Sequence, residues 1–263
     1  MLIAITRDVS RTLGACELSY VERAPIDVER AERQHRAYRE ALASLGCRII
    51  GLPPENELPD AVFVEDVALV FDGIAIRTRP GAASRRAEVE SVATALASYR
   101  TIRSIEAPGT IDGGDVLRIG RTIYVGRSAR TNAAAMEQLQ AMVGPSALGP
   151  RGYAVQPVPI RGCLHLKSAA TEVADGIVLI NPDWVDRSAF AHLRQIEIDP
   201  NEPHAANGLR VGDGLIYPMS FPLTTQRLAD AGIAVTPVDV SELQKAEGAV
   251  TCCSIVFNET VSA

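Results

Sequence analysis

Five polar residues, Glu65, Asp112, His165, Asn207 and Cys252, each stand just ahead of a short apolar β-type run. Successive members lie about 42 to 53 residues apart, a period that signals a closed or stacked repeat architecture. A cysteine and a histidine brought together beside a carboxylate suit nucleophilic catalysis, in which a thiolate attacks and an imidazole moves protons. Taken singly, neither is diagnostic: free cysteine is among the most buried residue types, and a histidine between leucines is usually a satisfied core residue. Four acids, Glu65, Asp66, Asp112 and Asp115, fall in two equivalent turns, with Asp60 nearby. The local alternative for Asp112-Gly113-Gly114-Asp115 is a tight turn with an Asx cap. Carboxylates gathered in one cavity repel one another unless a cation relieves them. A guanidinium, planar and permanently charged, matches such a set. At the other end of such a guest, Arg85 and Arg130 each stand near an expected helix start. Guanidinium forks and free helix N–H groups there form an anion site, or both arginines are solvated surface residues.

The elements that must hold these residues follow a ββαβ pattern. Hairpins are expected over 67–78, 116–125, 169–180 and 209–217, turned at Asp72-Gly73, Gly120-Arg121, Asp175-Gly176 and Gly212-Asp213-Gly214. Each is followed by a helical pattern and a single strand. The last strand, 254–257, has no following partner, but the N-terminal run 2–6 completes its hairpin and closes a ring of five. Asp27 caps a helix running to Leu45, and Gly46 stops it. Ser84 is expected to cap the helix carrying Val89, Val92 and Leu96. A short helix is expected near 187–193 and another over 224–231. Cys252 and Cys253 read as part of an alternating strand, so that one thiol enters the ring and the other packs beneath the helices. Residues 10–25 form a polar stretch long enough to suggest a functional lid.

Composition narrows the class. The chain has 263 residues, 47% hydrophobic and 22% charged, which fits one soluble globular domain spanning 1–263. A net charge of −6 argues against nucleic acid and anionic membranes as partners. No signal peptide or 18-residue apolar stretch is present, so a cytoplasmic location is expected. Five cysteines in a long chain argue against a disulfide framework, and neither CxxC spacing nor a histidine cluster completes a metal site. No cofactor is implied.

The motifs DAVFVED (60–66), RPGAASRR (79–86), IDGGDVL (111–117), SARTN (128–132), LHLKS (164–168) and EGAVTCCS (247–254) together resemble the dimethylarginine dimethylaminohydrolase family. That family belongs to the guanidino-group modifying, or pentein, superfamily, which also holds arginine deiminases and amidinotransferases. The resemblance runs from Met1 to about Phe257. It implies a five-bladed α/β propeller, in agreement with the repeat reading. It also implies Cys252 as nucleophile and His165 as general acid and base, with Asp112 orienting His165 or holding the guanidinium. Asp66, supported by Glu65, would bind the guanidinium. Asp60 would meet the α-ammonium, Arg85 and Arg130 the α-carboxylate, Phe63 would line the cavity, and Leu18 would serve as a lid residue.

The implied reaction converts N-methylated arginine to citrulline and an alkylamine through a covalent thiouronium on cysteine, in a monomer or homodimer with a small-molecule substrate. Glu247 stands where relatives commonly carry Asp, and Lys167 where arginine deiminases carry an acid. The second departure favours an alkylated guanidine. The rivals are an arginine deiminase or another substituted-guanidine hydrolase, a non-catalytic binder of cationic amino acids, and an initiation-factor-like pentein without an enzyme site.

Overall fold

Alternating β-branched and apolar segments form fifteen strands among the described residues, which are 1–259 of the computed structural model. β1 (Leu2–Arg7), helix α1 (Val28–Ser44) and β2 (Cys47–Leu52) open the chain. The next unit is β3 (Ala68–Val70), β4 (Ile74–Arg77), α2 (Val89–Leu96) and β5 (Thr101–Ser104). The third is β6 (Val116–Ile119), β7 (Thr122–Arg127), α3 (Ala133–Val143) and β8 (Ala154–Pro159). β9 (Ala170–Ala174), β10 (Ile177–Ile180) and β11 (Arg194–Glu197) form the fourth. The fifth comprises β12 (Leu209–Val211), β13 (Gly214–Pro218), the helix Pro222–Asp230 and β14 (Thr236–Val238). β15 (Ile255–Asn258) follows.

These strands make five three-stranded sheets of one topology, in which a hairpin pair is antiparallel and the strand after the crossover is parallel. In the first sheet β15 supplies the missing hairpin strand: Leu2 pairs with Asn258 and Ile5 with Ile255, while β1 runs parallel to β2. The fold is a five-repeat propeller-like α/β structure, closed by the two ends of the chain. Its apolar clusters lie between neighbouring blades. Leu69, Ile74 and Ile76 of the second blade pack on Val116, Ile123 and Val125 of the third, under Ala135 and Leu139 of α3.

Side-chain caps fix where two helices begin. Asp27 accepts from the Arg30 N–H at 2.9 Å, and Asn132 accepts from Ala135 at 3.0 Å. Ser84 caps nothing. A 3₁₀ segment, Ala83–Glu88, precedes α2, and the Ser84 hydroxyl turns outward to Glu17 at 2.6 Å. The helix expected near 187–193 is only a 3₁₀ turn, Arg187–Phe190, tied off when the Gln195 amide donates to the carbonyls of Arg187 and Phe190. Phe190 fills the space instead, packed 4.8 Å from Tyr124. Cys252 and Cys253 lie in a turn, since β15 begins only at Ile255.

The turns that lead the blades join one another in a circle. The Glu65 N–H donates to Cys252 O at 3.1 Å, and the Gly114 N–H to Asp66 Oδ1 at 2.9 Å. The Leu166 N–H donates to Asp115 Oδ1 at 3.0 Å, and Asn207 Nδ2 to Lys167 O at 3.0 Å. The Thr251 N–H then donates to Asn207 Oδ1 at 3.2 Å. Each link spans adjacent blades, so the five sequence-equivalent turns meet around one axis.

Candidate active site

A Gly-Gly pair at 113–114 lets two blades approach at this axis. A Cβ on Gly113 would lie 1.9 Å from the Glu65 carbonyl oxygen, and one on Gly114 would lie 2.5 Å from His165 Nδ1. Only glycine permits that approach. With it, His165 Nε2 donates to Asp112 Oδ2 at 3.1 Å while Nδ1 stands 3.9 Å from Asp66 Oδ1. Asp112 is fully buried, and its other oxygen accepts from the Gly81 N–H at 2.8 Å. Burial alone would discharge the imidazole, but Asp66, the Asp112 hydrogen bond and Asp115 outweigh it, raising His165 to about 9. At neutral pH His165 is therefore an imidazolium.

Cys252, Asp66, His165, Phe63, Asp60, Arg85 and Arg130 line one narrow cavity. The reacting groups expected from the sequence thus share a space, although they come from different blades. Burial pushes the Cys252 thiol up to about 12, assisted by the negative charge of Glu65 and Asp66. Cys253 is buried in the hydrophobic core and is no part of the cavity. Asp66 is held well below the usual carboxylate range. Burial opposes its charge, but His165, Arg85 and the Gly114 N–H overcome that opposition.

Two of the expected residues point elsewhere. The Glu65 carboxylate is bound by Lys167 Nζ at 2.6 Å and by the Thr251 hydroxyl at 2.8 Å, and it faces a separate cavity. Leu18 does not line the narrow cavity; it packs half-buried against the core cluster that contains Leu13 and Phe63. Arg85 departs from the expected open anion site. The 3₁₀ segment turns it inward, where it bonds Asp66 at 2.6 Å and Glu88 at 2.8 Å. It also donates to the carbonyls of Asp60 and Phe63. Arg130 is half-buried and donates to the Ser19 hydroxyl at 3.2 Å. Asp60 accepts from the Glu17 N–H at 3.1 Å.

Glu17 and Glu88 escaped the sequence reading as site components, whereas Glu247 stood out there as a departure from the Asp that relatives commonly carry. Glu17 and Glu247 line the cavity, and Glu88 balances Arg85. Glu88 was readable in part, because it lies three residues after Arg85, a spacing that places the two on one face of a helical turn. The ligating atoms of Asp66, Asp112 and His165 lie within 4.8 Å of one another, a grouping compatible with a cation. Sequence spacing could not show it, because its members belong to three leading turns. In that arrangement a protonated His165 bonds Asp112 and lies 3.9 Å from Asp66, whose oxygens are held by Arg85 and the Gly114 N–H.

A larger cavity lies beside the first and shares Leu164, Glu247 and Gly248 with it. Tyr20, Trp184, His204 and Phe221 give it an aromatic wall. Among the described residues no helix is long and apolar enough to cross a membrane.

Residues 19–189 match the family described as N,N dimethylarginine dimethylhydrolase, eukaryotic. A dimethylarginine dimethylaminohydrolase of Streptomyces coelicolor is 42% identical over 258 residues, covering 97% of each chain. The enzyme of that name from Pseudomonas aeruginosa is 37% identical over 233 residues, covering 88% of this chain and 90% of its own. The Pseudomonas aeruginosa enzyme solved with citrulline, as a cysteine-to-serine variant, superimposes with a TM-score of 0.90 at 35% identity, over 97% of this chain and 98% of its own. The N-terminal domain of ArgZ, a cyanobacterial arginine dihydrolase, shares the fold at a TM-score of 0.84 and 16% identity, over the whole of both chains. The circle of leading turns and these whole-length matches lead to one conclusion: the chain belongs to the dimethylarginine dimethylaminohydrolase family.

Proposed function

We propose that this protein hydrolyses N-methylated arginine to citrulline and an alkylamine. One observation carries the reading: Cys252, the Asp112-oriented His165 and the ionised Asp66 line a single narrow cavity that also holds Asp60 and Arg130. Asp66 keeps the substrate guanidinium charged and oriented, and Phe63 flanks it. Asp60 takes the α-ammonium. Arg130 takes the α-carboxylate, with Arg85 adding positive potential while it anchors Asp66.

The thiol is protonated before the substrate arrives. A guanidinium brought against it offsets the acids and favours the thiolate, the thiol proton passing to solvent. Sulfur then adds to the central guanidinium carbon. The C–N bond to the methylated nitrogen breaks as His165 delivers its proton to the departing amine, since an amine anion cannot leave at neutral pH. The remaining S-alkylthiouronium is attacked by water, whose proton passes to the now neutral His165. Cleavage of the C–S bond releases citrulline and regenerates the cysteine.

The Lys167–Glu65 pair favours an alkylated substrate. It occupies the second acid, leaving Asp66 to face the guanidinium, and a methylated nitrogen has fewer N–H groups to satisfy. Citrulline release from dimethylarginine, monomethylarginine and arginine tests the reading. Activity on the two methylated substrates well above that on arginine is expected; equal or greater activity on arginine would overturn it. Calorimetry with the Cys252→Ala variant separates catalysis from simple binding, because a pure binder leaves the ligand intact with either residue.

A further inference from the structure

Glu247 has a left-handed backbone, φ 57°, the only non-glycine residue with positive φ among the described residues. It follows the single helical turn Ser241–Gln244, and the Gly248 N–H returns to the Leu243 carbonyl at 3.0 Å. Glycine or asparagine is the usual occupant of such a helix end. Strain at a side chain in a cavity wall directs attention to what that side chain does.

Its carboxylate accepts three consecutive backbone N–H groups: Ser19 at 3.0 Å, Val21 at 2.8 Å and Tyr20 between them. The same segment reaches both side chains assigned to the amino-acid end of the substrate. Arg130 donates to the Ser19 hydroxyl, and Asp60 accepts from the Glu17 N–H. We infer that Glu247 is a positioning residue that latches segment 17–21 over the cavity, so that Asp60 and Arg130 are held ready for the substrate's ammonium and carboxylate. The role assigned to those two groups rests on the proposed function; the latch itself does not. Three N–H groups on one ionised acceptor form a charge-assisted set, and no other carboxylate reaches those amides among the described contacts.

Hydrogen exchange, thermal unfolding and steady-state kinetics of Glu247→Gly and Glu247→Gln test the latch. Glycine removes the acceptor and relieves the backbone, so the thermal midpoint should hold or rise. The amides of Ser19, Tyr20 and Val21 should exchange about tenfold faster or more, without any substrate present. KM for a methylated arginine should rise by about tenfold with a smaller change in kcat, since binding at the amino-acid end is what loosens. Glutamine keeps a neutral acceptor of the same reach and should restore part of the protection. Unchanged exchange at 19–21 in Glu247→Gly would overturn the latch. Failure of the parent protein to release citrulline would instead count against the proposed function and leave the exchange result standing.

Discussion

Cys252 and His165 are both biased toward their protonated forms, and this sets the pH behaviour of the site. The thiol is pushed up to about 12 and the imidazole to about 9. The proposed reaction needs thiolate with imidazolium, a minority state in the free protein. Below about 9 the thiolate fraction grows tenfold per pH unit while His165 stays charged, so kcat/KM should climb with pH. Above about 9 each gain in thiolate is cancelled by lost imidazolium, and the profile should level off. A pH series of kcat/KM checks this; a flat profile from pH 6 to 8 would contradict it. Stability carries the opposite slope. His165 is raised above its ordinary 6.5, so its contribution is complete below that value and is lost as pH rises toward about 9. The thermal midpoint should fall across that interval, and Asp112→Asn, by removing a partner of the charged ring, should flatten the fall. A haloacetamidine should label Cys252 and spare Cys253, located by mass spectrometry, because only the first lines the cavity.

The leading turns are the elements on which the site depends, and their two glycines separate folding from function. In Gly113→Ala the new methyl meets backbone of the neighbouring blade, which cannot move without opening the ring. A cost of about 3 kcal/mol or more is expected, at the upper end of overpacking, read as a lowered denaturation midpoint. In Gly114→Ala the nearest atoms belong to the His165 ring, followed by the Asp66 carboxylate. Those side chains can shift. This variant should fold and yet lose activity by about a hundredfold or more, because a misplaced acid and base no longer reach the reacting atoms. Circular dichroism beside the citrulline assay distinguishes the two results.

In the whole molecule, β1 is the strand that closes the circle. It is the middle strand of its sheet, with β15 on one side and β2 on the other. Ile5 is fully buried and packs with Val64, Val67, Ala75 and Ile255, side chains drawn from two adjoining blades. Ile5→Ala should therefore cost about 2–5 kcal/mol, as for other buried aliphatic truncations. The loss should fall on the whole ring, and calorimetry should record one transition at a lower temperature. A separate early transition would mean that the blades unfold independently.

The sequence by itself determined the repeat, the five leading polar residues and the membership of the ring. Periodic hydrophobicity, turn residues and recurring motifs are local properties of a chain, and they survive unfolding on paper. The closing of β15 on β1 was legible for the same reason: one unit lacked a partner and one strand was spare. The tertiary structure alone decided where charged side chains point. Glu65 and Asp66 are neighbours in sequence, yet Lys167 draws the first away while Arg85 and Gly114 hold the second in the cavity. Arg85 looked free because Asp66 and the folded 3₁₀ turn that presents Glu88 become its partners only in three dimensions. Glu247 marked itself in sequence only as an unusual residue at its position, since the amides that it holds lie more than two hundred residues earlier in the chain. Long-range electrostatics depends on which surfaces meet, and that is settled only when the five blades are packed.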